Sequence, residues 1–85
     1  MKQFNDLQFK KHPQKDGVIT RIIFDNGYEV SVVKSQYSYG GDKGLYELAI
    51  FKDGEICYDT PITDDVIGYL REIDVTDVME KIQKL

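Results

Sequence analysis

Apolar and polar positions follow a period of two through most of the chain, and the period lengthens near the C-terminus. Residues 18–24, Val-Ile-Thr-Arg-Ile-Ile-Phe, are dense in β-branched side chains and predict a strand. Asp25-Asn26-Gly27 follows, and Asn-Gly is the strongest short hairpin signal because a tight primed turn needs positive φ at both central positions. Residues 28–33 form the return strand. A two-residue loop at Asn26-Gly27 sets Ile23 opposite Val30 and Phe24 opposite Glu29, with apolar groups on both faces, as in central strands whose second face is partly covered. Residues 45–51 predict the next strand, and Asp53-Gly54 turns it into residues 55–58. That register places Lys52 opposite Glu55, Phe51 opposite Ile56 and Ile50 opposite Cys57. Leu7 and Phe9, alternating with Asp6, Gln8 and Lys10, add a short strand near residues 5–11, and residues 12–17 form a turn containing Pro13 and Gly17.

From Ile62 the apolar positions are Ile62, Val66, Ile67, Leu70 and Ile73, a helical spacing. Thr63 serves as N-cap and Asp64 and Asp65 fall in the first turn, where the helix dipole favours negative charge. Gly68 weakens such a helix and implies close packing or a bend. A second helix starts at Asp74 as N-cap, with Asp77 at N3 and Ile73 and Val78 as a hydrophobic staple. Val75, Val78, Met79, Ile82 and Leu85 share its apolar face. The expected fold is a single α+β domain over residues 1–85: an antiparallel β-meander of four to five strands, packed on one face by two short C-terminal helices.

Length sharpens this picture. A chain of 85 residues supports one core but not a deep internal active site. The apolar content of 41% and charged content of 31% argue for a folded domain and against disorder. No apolar run approaches the ~20 residues that cross a bilayer, and the first residues lack the apolar block of a signal peptide. Cys57 has no second cysteine to pair with, which fits a reducing cytoplasm.

Charge is uneven along the chain. Residues 1–43 carry seven Lys/Arg against five Asp/Glu, and residues 44–85 carry four against ten. The acidic second half repels phosphate backbones and suits a basic protein surface. Lys2, Lys10, Lys11 and Lys15 are too loosely grouped for a nucleic-acid footprint.

Candidate chemistry is sparse. Asp59, Asp64 and Asp65 with Thr60 and Thr63 offer oxygen ligands, but they lack the spacing of a calcium loop, and helix capping accounts for most of them. His12, the single histidine, and Cys57, the single cysteine, could in principle form a nucleophile–base pair, but no orienting partner stands at a fixed spacing. Gly40, Gly41 and Gly44 match neither phosphate-loop pattern, and a strand follows them instead of a helix. The chain is therefore read as non-enzymatic, without cofactor or metal.

The tyrosines carry more information. Tyr28, Tyr46 and Tyr58 lie in strands and are expected at the edge of the core. Tyr37 and Tyr39 lie instead in the loop 35–44, among Ser35, Ser38, Gly40, Gly41 and Gly44. Tyrosine supplies rigid amphipathic contact area, while Ser and Gly supply adaptable hydrogen bonding. Either the pair folds back on the sheet or it faces a partner. Tyr37, Tyr39, Asp42 and Lys43 are the expected partner-binding residues.

The segments Asn26-Gly27-Tyr28, Ser31-Val32-Val33, Tyr39-Gly40 and residues 45–49, closed by residues 57–66 (Cys-Tyr-Asp-Thr-Pro-Ile-Thr-Asp-Asp-Val), resemble a group of small uncharacterised phage and prophage proteins. The resemblance spans most of the chain and brings no activity or site residues. It implies a mobile-element origin only; analogy with small acidic phage proteins that act on host machinery adds the expectation of protein binding in the bacterial cytoplasm. The expectation is a protein-interaction module, an inhibitor or modulator of a host protein; the alternative is a small-ligand or nucleotide-binding domain using the same loop. A homodimer formed by an edge strand, 28–33 or 5–11, is a further option.

Overall fold

The computed structural model describes residues 1–13, 16–63 and 66–85. Among these residues it is an α+β domain whose sheet has six strands: β1 (Lys10–Lys11), β2 (Val18–Ile23), β3 (Tyr28–Lys34), β4 (Tyr46–Lys52), β5 (Glu55–Ile56) and β6 (Ile67–Leu70). The order β1-β2-β3-β4-β5 is a meander, and every pairing is antiparallel. β5 and β6 share the far edge of β4: β5 pairs Phe51 and Lys52, while β6 pairs Tyr46 and Leu48. One helix, α1 (Glu72–Gln83), crosses one face.

Both hairpins form, with different turns. At Asp53-Gly54 both residues have positive φ, 55° and 82°, and the register is the expected one: Lys52 opposite Glu55, Phe51 opposite Ile56. The Asn26-Gly27 hairpin is shifted by one residue, so that Ile22 faces Val30 and Ile23 faces Glu29. Phe24 N–H donates to the Tyr28 carbonyl, Gly27 N–H donates to the Phe24 carbonyl, and only Gly27 has positive φ. The connection is thus a three-residue loop closed by a glycine bulge. Asn26 helps to select it: its side-chain amide donates to the Ile82 carbonyl of α1 and its carbonyl oxygen accepts the Tyr28 N–H.

The core lies between the sheet and α1. Val30, Val32, Leu48 and Ile50 from the central strands meet Val75, Met79 and Ile82 of the helix, and all seven are fully buried. Truncating one of the larger of them, such as Leu48, would cost about 2–5 kcal/mol. The N-terminal segment closes one side through Leu7 and through Phe4 and Phe9, whose rings stand 5.2 and 5.4 Å from that of Tyr46. It is tied to α1 by Phe4 N–H donating to Thr76 Oγ1 and by reciprocal bonds between Lys2 and Gln83.

Four expectations are corrected. Residues 5–11 are mostly not strand: Phe4–Asp6 is a 3-10 turn and only Lys10–Lys11 pairs with β2. Residues 28–33 are not an edge, because β3 lies between β2 and β4. The helix expected from Ile62 is replaced, over Ile67–Leu70, by strand β6. Its helical spacing has a physical explanation in the pairing of β6 with β4. Ile67 pairs Leu48 and Leu70 pairs Tyr46, so Gly68 and Tyr69 together oppose Glu47. This bulge adds one residue, and two positions three apart then share the core face, which a regular strand forbids. Finally, α1 starts earlier than expected. Asp74 is its third residue, where the carboxylate accepts the Arg71 N–H at 2.9 Å and the guanidinium at 2.8 and 3.1 Å. That pairing holds the Asp74 carboxyl below its ordinary range. Gln14 and Lys15 of the expected turn, and Asp64 and Asp65 of the expected helix start, lie outside the described residues.

Candidate functional site

The loop between β3 and β4 is built by short polar bonds. Ser35 is buried, its N–H donates to Ser38 Oγ, and its carbonyl accepts both the N–H and the hydroxyl of Ser38. Tyr37 N–H donates to Ser35 Oγ. Gly40 then accepts from Lys43 and Leu45, closing the 3-10 turn Gly41–Lys43 and delivering the chain into β4. The serine hydroxyls bond loop backbone groups directly, which is the usual use of serine in turns.

The loop backbone is then fastened to β4 and β6. Glu47 accepts the Tyr39 N–H at 2.7 Å, and the Tyr39 carbonyl accepts the Tyr69 N–H at 3.1 Å. Two glycines permit this approach. A Cβ on Gly41 would collide with the Ser35 carbonyl, and one on Gly68 would collide with Cβ of Tyr39. Gly68, expected to mark close packing inside a helix, marks close packing inside a bulged strand.

The tyrosine side chains nevertheless face outward: Tyr37 is 68% exposed, Tyr39 61% and Tyr69 57%. The backbone is docked and the rings are presented. Tyr69 has φ 58°, an uncommon conformation for a bulky residue, which costs about 1–2 kcal/mol. Lys43 holds its ammonium 5.7 Å from the Tyr69 ring centroid, and Asp42 is exposed beside it on the same turn. The structure therefore brings Tyr39 and Lys43 together with Tyr69 and places Tyr37 and Asp42 on the same loop. Tyr69 was missed because the apolar spacing around it reads as helix; Gly68 inside that spacing was the available signal.

The tyrosines expected in strands divide, and Tyr58 lies beyond the end of β5. Tyr46 is a core residue, Tyr28 is half-buried under the Lys52 ammonium at 4.3 Å, and Tyr58 is exposed.

The other candidates do not assemble. His12 follows β1 and Cys57 follows β5, at opposite edges of the sheet. The Cys57 thiol donates to Asp59 Oδ1 at 3.0 Å, and that bond to the carboxylate pushes the thiol up from its ordinary value, the reverse of nucleophile activation. Among the described residues no three His, Cys, Asp or Glu side chains gather as a metal site. No described helix is long and apolar enough to cross a membrane. Comparison with family models, with curated proteins and with solved structures finds no match for this chain.

Proposed function

We propose that the chain is a non-enzymatic interaction module that binds a protein partner through Tyr37, Tyr39 and Tyr69, with Asp42 and Lys43 at the rim. The observation that carries this reading is the pairing of exposed rings with a fixed backbone. Tyr37, Tyr39 and Tyr69 are each more than half exposed, yet their peptide groups are each hydrogen-bonded. Such a surface loses little entropy on binding, because the anchors are already placed. The strained backbone at Tyr69 supports the same reading, since rare conformations concentrate where function maintains them. By analogy with small acidic phage proteins that act on host machinery, the proposed partner is a protein of the bacterial cytoplasm that the chain inhibits or modulates.

The test is affinity capture from a bacterial host lysate with the wild type, the Tyr37→Ala/Tyr39→Ala double variant and Tyr69→Ala. The partner should be retained by the first and lost by the others while all three stay folded. The same captured set from all three would contradict the proposal. Thermal shift against nucleotides and small anions separates the ligand-binding alternative, which predicts stabilisation by mass action.

A further inference from the structure

A second surface lies at the opposite edge of the sheet and owes nothing to the tyrosine site. In an antiparallel strand, alternate residues turn their N–H and C=O groups to alternate sides. His12 N–H donates to the Gly17 carbonyl, so Gly17, Ile19, Arg21 and Ile23 face the β1 side. Phe24 N–H donates to the Tyr28 carbonyl across the other side, which fixes the same alternation independently. β1 contains only Lys10 and Lys11, and its last partner along β2 is Ile19. The backbone groups of Arg21 and Ile23 thus point out of the sheet with no strand beside them among the described residues.

Space for a strand is present there. The N-terminal segment leaves the edge before Lys10 and encloses, against β2, a groove of about 590 Å³ whose lining includes Asp6, Leu7, Lys10, Ile19, Arg21 and Ile22. Its two faces differ chemically. Ile22 and Thr20 stand on the helix side, beside Leu7, because they pair with buried Val30 and Val32. Lys10 pairs Ile19 and shares the opposite face with Arg21. Arg21 already holds Glu29 at 3.2 Å, whereas Lys10 has no ion pair among the described residues.

We propose that this edge accepts an extended strand of a partner protein in which apolar and acidic side chains alternate. The strand pairs its backbone with Arg21 and Ile23, sets apolar side chains beside Leu7 and Ile22, and sets carboxylates beside Lys10 and Arg21. Main-chain bonds supply affinity and the alternation supplies selectivity, as in other strand-addition complexes.

The probe is a six-residue blocked peptide of alternating glutamate and valine, titrated into the ¹⁵N-labelled full chain, with a lysine/valine peptide as control. The glutamate peptide should shift the amides of Lys10, Ile19, Arg21 and Ile23, less so at high salt. Ile23→Pro removes one outward donor at an edge position that tolerates proline, and should weaken binding about tenfold with the fold retained. Lys10→Glu should transfer the preference to the lysine peptide. The proposal is overturned if folded wild type shows no such shifts at millimolar peptide, or if both peptides shift it equally. It is also overturned if the same amides shift with protein concentration alone, which would assign the edge to a second copy of the chain.

Discussion

The two edges of the sheet show how one small domain treats exposed backbone in opposite ways. At the β6 edge, the loop between β3 and β4 folds against the strand, ties Tyr39 to Tyr69 and Glu47, and turns aromatic rings outward. At the β2 edge, β1 covers the strand only as far as Ile19 and leaves Arg21 and Ile23 uncovered. The first edge presents side chains on a closed backbone, and the second presents the backbone itself. Their modes of recognition should differ accordingly: ring burial at one, strand addition at the other.

Substitutions that separate the edges make the contrast testable. The largest effect is expected at Gly68→Val, which drives a branched side chain into Tyr39 and undocks the loop. It should cost about 3 kcal/mol in urea denaturation, and a loss below ~0.5 kcal/mol would mean that the loop is not fastened to β6. The open edge is tested by a pair of prolines. Ile22 N–H faces β3 and Ile22→Pro should cost at least ~2 kcal/mol, whereas Ile23→Pro should cost less than ~1 kcal/mol. Equal costs would erase the alternation on which the open edge depends.

A smaller change of opposite sign is expected at Tyr69→Asn. Asparagine tolerates the left-handed conformation, so the variant should lose partner binding while gaining up to ~1 kcal/mol in the same denaturation assay. A variant both weaker in binding and clearly less stable would assign Tyr69 to packing instead. The smallest effect is expected at Asp74, which fastens the start of α1 just beyond β6. Its carboxyl is depressed by Arg71, so its contribution is present at neutral pH, above the ordinary carboxylate range, and disappears as pH falls through the folded-state value. Asp74→Asn should therefore lower the melting point slightly at neutral pH and leave it unchanged under strong acid; an equal drop at both would contradict the assignment.

Much of the fold was legible in local chemistry. The β-branched runs, two turn glycines and the change of period are enough for an antiparallel meander followed by a C-terminal helix. What escaped was decided by contacts distant in sequence. Asn26 bonds to the Ile82 carbonyl of α1, 56 positions away, and the hairpin register follows a three-residue loop instead of two. Asp53-Gly54 has no such tie among the described residues, and its register was read correctly. The Ile67/Leu70 spacing misled for a different reason: a bulge imitates the i, i+3 pattern of a helix, and only pairing with β4 reveals it. Tyr37 and Tyr39 were singled out by the composition of their loop, and in the structure their backbone is docked while their rings are exposed. Tyr69 could not be placed beside them until β6 was known.

Amide hydrogen exchange, resolved by residue, tests the contrast between the edges most directly. Slow exchange is expected at Thr20 and Ile22, alternating with fast exchange at Arg21 and Ile23, and slow exchange at Tyr69 where its N–H meets the Tyr39 carbonyl. Uniform protection along residues 20–23, or rapid exchange at Tyr69, would contradict it.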